Sequence, residues 1–120
     1  MSEHGRLDRV AEEIREVLAE EIQKLQDPRV GFVTVTRVRV TPDLRKARVH
    51  YTVLGEERDR RATGAALRSA RPHLRTTLGH EVRLKFVPEL EFLEDENEAE
   101  ASRVEQLLAE LRRQEGDRGS

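Results

Sequence analysis

The segment from Val30 to Val53 constrains the fold more than any other part of this 120-residue chain. Its second half alternates cleanly. Ala47, Val49, Tyr51 and Val53 fall in one phase; Lys46, Arg48, His50 and Thr52 fall in the other. Successive side chains of a strand point to opposite faces, so one face is apolar and the other polar and basic. The first half, Val30 to Val40, is dense in Val and Thr and also reads as a strand. Its phase slips between Val33/Val35 and Val38/Val40, which predicts a bulge near Thr36-Arg37. Thr41-Pro42-Asp43-Leu44 is a turn, with proline pre-setting φ, and Gly55 ends the second strand. Such a hairpin is unstable alone in water and needs a cover for its apolar face.

The flanking sequence supplies that cover. Leu7, Val10, Ala11, Ile14, Leu18, Ile22 and Leu25 recur at spacings of three and four, one stripe on a helix of about five turns. Asp27-Pro28 ends it, because the residue before proline is pushed out of the helical region. A second helix begins near Glu56–Arg60 and has Ala62, Ala65, Ala66, Leu67 and Ala70 on its apolar side. Pro72 interrupts it, the pattern resumes through Leu74 and Leu78, and Gly79 is a fitting residue to stop on. Val82, Leu84 and Phe86 alternate as a third strand limited by Pro88, which turns Arg83 and Lys85 outward. Asn97 to Arg113 reads as a last amphipathic helix, with Ala101, Val104, Leu107, Leu108 and Leu111 on one side. Residues 115–120 read as a disordered tail. The order is α-β-β-α-kink-α-β-α, an α+β two-layer sandwich with one sheet face left uncovered by helices. The expected organisation is a domain over residues 1–93, an acidic C-terminal helix over 94–114, and the tail.

Charge divides along these same lines. The whole chain is nearly neutral, at −2. Arg29 to Lys85 holds 14 basic residues against 5 acidic, or +9, while Glu91 to Ser120 holds 4 against 10, or −6. Salt screens charges beyond about 10 Å, so the local balance decides what a surface attracts. Arg68, Arg71 and Arg75 are three and four apart around the kink and suit phosphate and sugar contacts, aided by the positive end of the following helix. The same spacing also describes a solvated helix face. Arg37, Arg39, Arg45, Lys46 and Arg48 gather on the hairpin, as a projecting basic knob or as charges that keep an edge strand from pairing. Arg83 and Lys85 extend that surface, and Arg29 is a weaker candidate.

Several classes fall away. The chain has no Cys, which rules out a disulfide scaffold, a Cys-ligated zinc and a thiol nucleophile, and suits a reducing cytoplasm. No apolar run approaches the roughly 20 residues needed to span a membrane, and Met1–Arg9 is too polar for a signal peptide. His50, His73 and His80 lie in separate elements without metal-site spacing. Glu94-Asp95-Glu96-Asn97-Glu98 does not fit a calcium loop; it fits the start of a helix, or a protein contact. Gly116-Asp117-Arg118-Gly119 lies in the tail, away from any helix pair. Tyr51, Phe86 and Phe92 fall on apolar phases and Phe32 opens a strand, so all four aromatics are expected to pack inside. Recognition then depends on charge and shape and not on base stacking. No catalytic residue, metal or cofactor is expected.

One family matches these segments in order. Arg9-Val10-Ala11-Glu12-Glu13-Ile14-Arg15, Asp27-Pro28-Arg29-Val30-Gly31-Phe32-Val33-Thr34-Val35-Thr36 and Val40-Thr41-Pro42-Asp43-Leu44-Arg45-Lys46-Ala47-Arg48-Val49 come first. Val53-Leu54-Gly55, Leu74-Arg75 to Leu78-Gly79, and Arg83-Leu84-Lys85-Phe86-Val87-Pro88-Glu89-Leu90-Glu91-Phe92 follow. The chain resembles the bacterial ribosome-binding factor A family over roughly Arg6 to Leu111. The resemblance implies a K-homology-like (KH-like) type II fold with a mixed three-stranded sheet. It implies a monomer that binds precursor 16S rRNA on the free or immature 30S subunit, assists maturation of the 5′ end, and matters in the cold. It implies no enzyme activity and no membrane. The family carries an Ala-x-Gly kink between two helices where KH domains have Gly-x-x-Gly. Here the kink is Ala70-Arg71-Pro72, which departs at the third position and removes a backbone donor there. A reading from another class is a protein-interaction module that docks through its two terminal amphipathic helices.

Overall fold

The computed structural model describes residues 3–95 and 106–114. Helix α1 spans Glu3–Gln23, strand β1 Phe32–Val40, strand β2 Lys46–Leu54, helix α2 Glu57–Ser69, helix α3 Arg71–Glu81 and strand β3 Glu89–Glu94. Residues 106–114 are helical and exposed. The first part of the expected last helix lies outside the described residues. β2 is central, with β1 antiparallel on one side and β3 parallel on the other. The helices cover one face of this mixed sheet. The architecture is the α+β, KH-like type II sandwich expected.

The hairpin forms as the pattern dictates. The β1–β2 register shifts between Val35 and Arg37, so the bulge falls where the phase slips. Its effect is to keep both Val35 and Val38 inside. Ala47, Val49, Tyr51 and Val53 are all buried against Ile14, Leu18 and Ile22 of α1 and Leu67, Leu74 and Leu78 of α2 and α3. The turn is held by side chains. Thr41 Oγ1 donates to Asp43 at 2.7 Å, and the Arg45 N–H donates to the same carboxylate oxygen at 3.1 Å. These bonds hold the Asp43 carboxyl below its ordinary pKa, Thr41 contributing most. They also hold Leu44 at φ +61, a left-handed conformation a branched side chain rarely takes. Gly55 has φ +147, and a Cβ there would sit 2.8 Å from the Asp59 carboxylate, which accepts the Glu56 N–H to cap α2.

Four expectations need correction. The third strand is Glu89–Glu94, not Val82 to Phe86. Val82 instead closes α3 by donating its N–H to Leu78, and Arg75 draws the loop carbonyls of Val87 and Pro88 onto its guanidinium at 3.0 and 3.2 Å. Pro88 has no N–H, so the β3 ladder starts after it, with the Glu89 N–H on the Arg45 carbonyl at 2.8 Å. Arg83 and Lys85 therefore stand on an exposed loop and not on a strand.

Second, α3 does not stop at Gly79 but runs to Glu81, because burial of Val82 extends the Leu74–Leu78 stripe by one turn. Gly79 serves closeness instead: a Cβ there would meet Val87 at 3.2 Å. Third, Tyr51 and Phe92 pack edge to face inside, but Phe32 is 80% exposed and Phe86 71%. Phe32 is out of phase with Val33, and the loop around Phe86 spends its packing on Leu84 and Val87. Fourth, the buried side of α2 is less apolar than expected. Arg60, Thr63 and Gly64 join Ala66 and Leu67, while Ala62 and Ala65 are only half-buried.

Those two polar residues tie elements together. Thr63, fully buried, accepts the Gly31 N–H at 3.1 Å and donates to the Arg29 carbonyl at 3.2 Å, docking the 29–31 loop on α2. Arg60 faces Glu94 at 3.2 Å and links α2 to the end of β3. The strand pairing is extended once more by the Asp95 N–H, which donates to Tyr51 at 2.7 Å.

Candidate nucleic-acid interface

Three basic groups meet at one end of the sheet. The first lies at the helix junction. Ala70 is at once the last residue of α2 and the first of α3, in a right-handed conformation at φ −83, ψ −5. The two helices meet at this one residue, and Arg68, Ser69, Arg71, Pro72 and Arg75 line one cleft of about 410 Å³ with Glu89 and Leu90. The three arginines share it, as their spacing predicts, but they do not have the same job. Arg68 and Arg71 are exposed, and Arg71 Nε donates to the Arg68 carbonyl at 3.1 Å. Arg75 is half-buried and spends its donors on Val87 and Pro88, so it fixes the loop more than it offers charge. Pro72 has no N–H, and that of Ala70 is used inside α2. The cleft thus presents side-chain charge, not a row of backbone donors.

The second group covers the open face of the sheet. Arg39 pairs with Arg48 in register, and Arg37 with His50. Like charges placed directly opposite each other oppose folding. Glu91 of β3 offsets part of this, lying 3.6 Å from Arg48 and 3.8 Å from Lys46. Arg37 and Arg39 make no ion pair among the described residues. His50 records the field: partial burial, then the charge of Arg37, hold its pKa below the ordinary value; Asp95 opposes them, and Arg39 and Arg48 add smaller pushes downward. The shift favours the neutral ring.

The third group surrounds the hairpin tip. Arg45, Lys46 and Arg48 line a second cleft of about 530 Å³ with Leu44, Phe86, Val87 and Glu89. Lys85 sits over the Phe86 ring, 5.8 Å from its centroid. Glu89 lines both clefts, so kink and hairpin tip adjoin across the start of β3. Arg29 takes no part: its guanidinium and N–H are bound to Asp27, whose carboxyl they hold at about 2. The sequence reading missed that Phe86 is presented here. Pro88, two residues after it, marked a strand boundary without showing which side would pair.

At the opposite end, Phe32 and Leu54 are exposed and paired in register, without basic neighbours in the strands beside them. Among the described residues no group of three or more His, Asp or Glu is placed to hold a metal. No helix there is long and apolar enough to cross a membrane.

Comparison with known proteins shows what the whole chain is similar to. The family model described as ribosome-binding factor A matches residues 6–108. Ribosome-binding factor A of Geobacter sulfurreducens is 43% identical over 113 residues, spanning 93% of this chain and 96% of that protein. That of Gemmatimonas aurantiaca is 48% identical over 114 residues, spanning 93% and 78%. The crystal structure of ribosome-binding factor A from Thermus thermophilus superposes with a TM-score of 0.67 at 34% identity, covering 73% of this chain and 94% of that one. A homology model of the T. thermophilus factor, fitted into a cryo-EM map of its complex with the 30S subunit, gives a TM-score of 0.63 at 34% identity, covering 72% and 92%.

Proposed function

The chain belongs to the ribosome-binding factor A family, and from that premise we propose that it binds the 16S rRNA of the immature 30S subunit in the bacterial cytoplasm and assists maturation of the 5′ end. The action is binding without chemistry. Preferential affinity for an immature rRNA arrangement raises the population of that arrangement until the region matures. Arg68 and Arg71 supply phosphate contacts at the kink. Arg37, Arg39, Arg45, Lys46 and Arg48 orient the domain on the RNA, and Arg83 and Lys85 widen the basic edge. Arg75 acts through the loop it holds.

The observation that carries this reading is the in-register Arg39–Arg48 pair beside Arg37, which lies opposite His50 and makes no ion pair among the described residues. Folding gains nothing from stacking like charges on an open face; a polyanion does. Docking through both terminal helices has less support, since the α1 stripe is already consumed by the core.

Binding to 16S fragments across a salt series tests the proposal. Three to five neutralised phosphates give a log–log slope of about −2 to −4.5. Arg68→Ala with Arg71→Ala lowers the slope by about 1.4 to 1.8. A flat dependence, or a double variant that binds like the parent, overturns it.

A further inference from the structure

The cleft at the hairpin tip holds something that electrostatics does not require: an exposed aromatic ring beside an arginine that makes no ion pair among the described residues. Phe86 leaves 71% of its surface uncovered although it sits in a protein with few aromatics. An exposed phenylalanine costs solvation that a polar residue in the same loop avoids.

The chain that follows the ring is tied down. Arg75 holds the two carbonyls that follow it, at 3.0 and 3.2 Å, and the Glu89 N–H ties the same strand of chain to Arg45 at 2.8 Å. Across the cleft, the Asp43 bonds pin the turn with Leu44 at φ +61. Backbone held in a sparsely populated region persists only where its surroundings enforce it, and such sites are concentrated where ligands bind. Asp43, the nearest acid in the turn, is occupied by Thr41 and the Arg45 N–H. The Arg45 guanidinium makes no ion pair among the described residues.

We infer that this cleft takes one unpaired nucleotide of RNA, with the base stacked on Phe86 and its phosphate on Arg45. The inference rests on the RNA-binding reading above and narrows it to single-stranded RNA at this point. A duplex cannot use the site, because its bases are already stacked. Lys85 adds a cation at the ring, and Lys46 stands at the rim. An aromatic beside a basic groove is a sequence-tolerant way to hold unpaired bases.

The test measures fluorescence anisotropy of the full chain with labelled oligouridylate and with a blunt RNA duplex of equal length. Phe86→Ala and Phe86→Leu each weaken oligouridylate binding about 5- to 100-fold and duplex binding less than about twofold. Phe86→Trp restores or exceeds parental affinity, and Phe32→Ala, at the equally exposed ring outside the cleft, changes neither. Leucine separates stacking from mere apolar contact. Equal losses on both RNAs, or none on either, overturn the assignment. If the parent binds RNA with a steep salt slope while Phe86→Ala binds oligouridylate unchanged, the stacking site fails and the wider reading stands. If the parent binds neither RNA, both fall. Loss of 30S binding alone, with oligouridylate binding intact, means that Phe86 meets a protein and overturns the nucleotide site.

Discussion

Along β2, Ala47, Val49, Tyr51 and Val53 are buried under the helices, while Lys46, Arg48, His50 and Thr52 face the other way. The two faces share every backbone hydrogen bond of the strand, yet they answer to different demands. On the covered face, each side chain is fixed by neighbours from α1, α2 and α3, and volume decides what fits. On the open face no described helix packs, and apart from the Glu91 contacts the residues present include ones that folding does not favour: Arg39 opposite Arg48, and a histidine among arginines. A strand can thus devote one phase to stability and the other to a partner. The edges of this division are informative too. Arg75 is basic by composition but serves the covered side, because its donors go to the loop carbonyls. Phe86 is apolar by composition but belongs to the open side.

The comparison is broken most directly from the covered side. Leu67, with no exposed surface, loses packing on every flank when shortened, so Leu67→Ala lowers unfolding free energy by about 2–5 kcal/mol. The folded fraction still binds RNA as the parent does, which denaturant melts and binding at matched folded concentration will show. A loss of intrinsic affinity comparable to the loss of stability would mean that the faces are coupled.

A smaller and opposite effect comes from the open face. Arg39→Glu replaces a like-charge pair with Arg48 by an opposite one, and gains about 0.2–1 kcal/mol of stability. It also weakens RNA binding and flattens its salt slope by about one unit or more. A variant that is less stable, or that binds equally well, removes the argument that these charges are kept for a partner.

The smallest effect is in pH. His50 has a folded pKa below its ordinary value of 6.5, so the unfolded chain takes up its proton first as pH falls. Its contribution to stability is complete above pH 6.5 and is lost as pH drops through the folded value. RNA phosphates near Arg37 and Arg48 act in reverse, stabilising the imidazolium and raising the pKa on binding. Titration of the His50 ring protons by NMR, free and RNA-bound, reads both. No upward movement in the complex would place RNA away from this part of the face.

How much was legible beforehand depended on how local the cause was. The clean alternation of β2, the bulge in β1 and the kink at Ala70-Arg71-Pro72 each follow from a few neighbouring residues, and each was readable. The placement of β3 was not. Val82, Leu84 and Phe86 alternate as well as Leu90 and Phe92 do, and periodicity alone cannot choose between two short apolar runs. Pro88 marked a boundary but not which side would pair. Likewise the three arginines of the kink looked equivalent, since spacing carries no information about the loop that claims Arg75.

The sequence by itself determined the element types as far as α3, the apolar and basic phases of the hairpin, and a basic middle set against acidic ends. These are properties of the chain's own periodicity and charge. Only the tertiary structure decided which run became the third strand and that kink and hairpin tip adjoin. It also decided that Arg75 holds a loop while Phe86 faces solvent. Each of those depends on contacts between residues far apart in the chain, where β3 could form only after Pro88 and only beside Lys46–Tyr51. The competition for a single open edge of β2 was settled by packing, and the losing segment became the loop that carries Phe86.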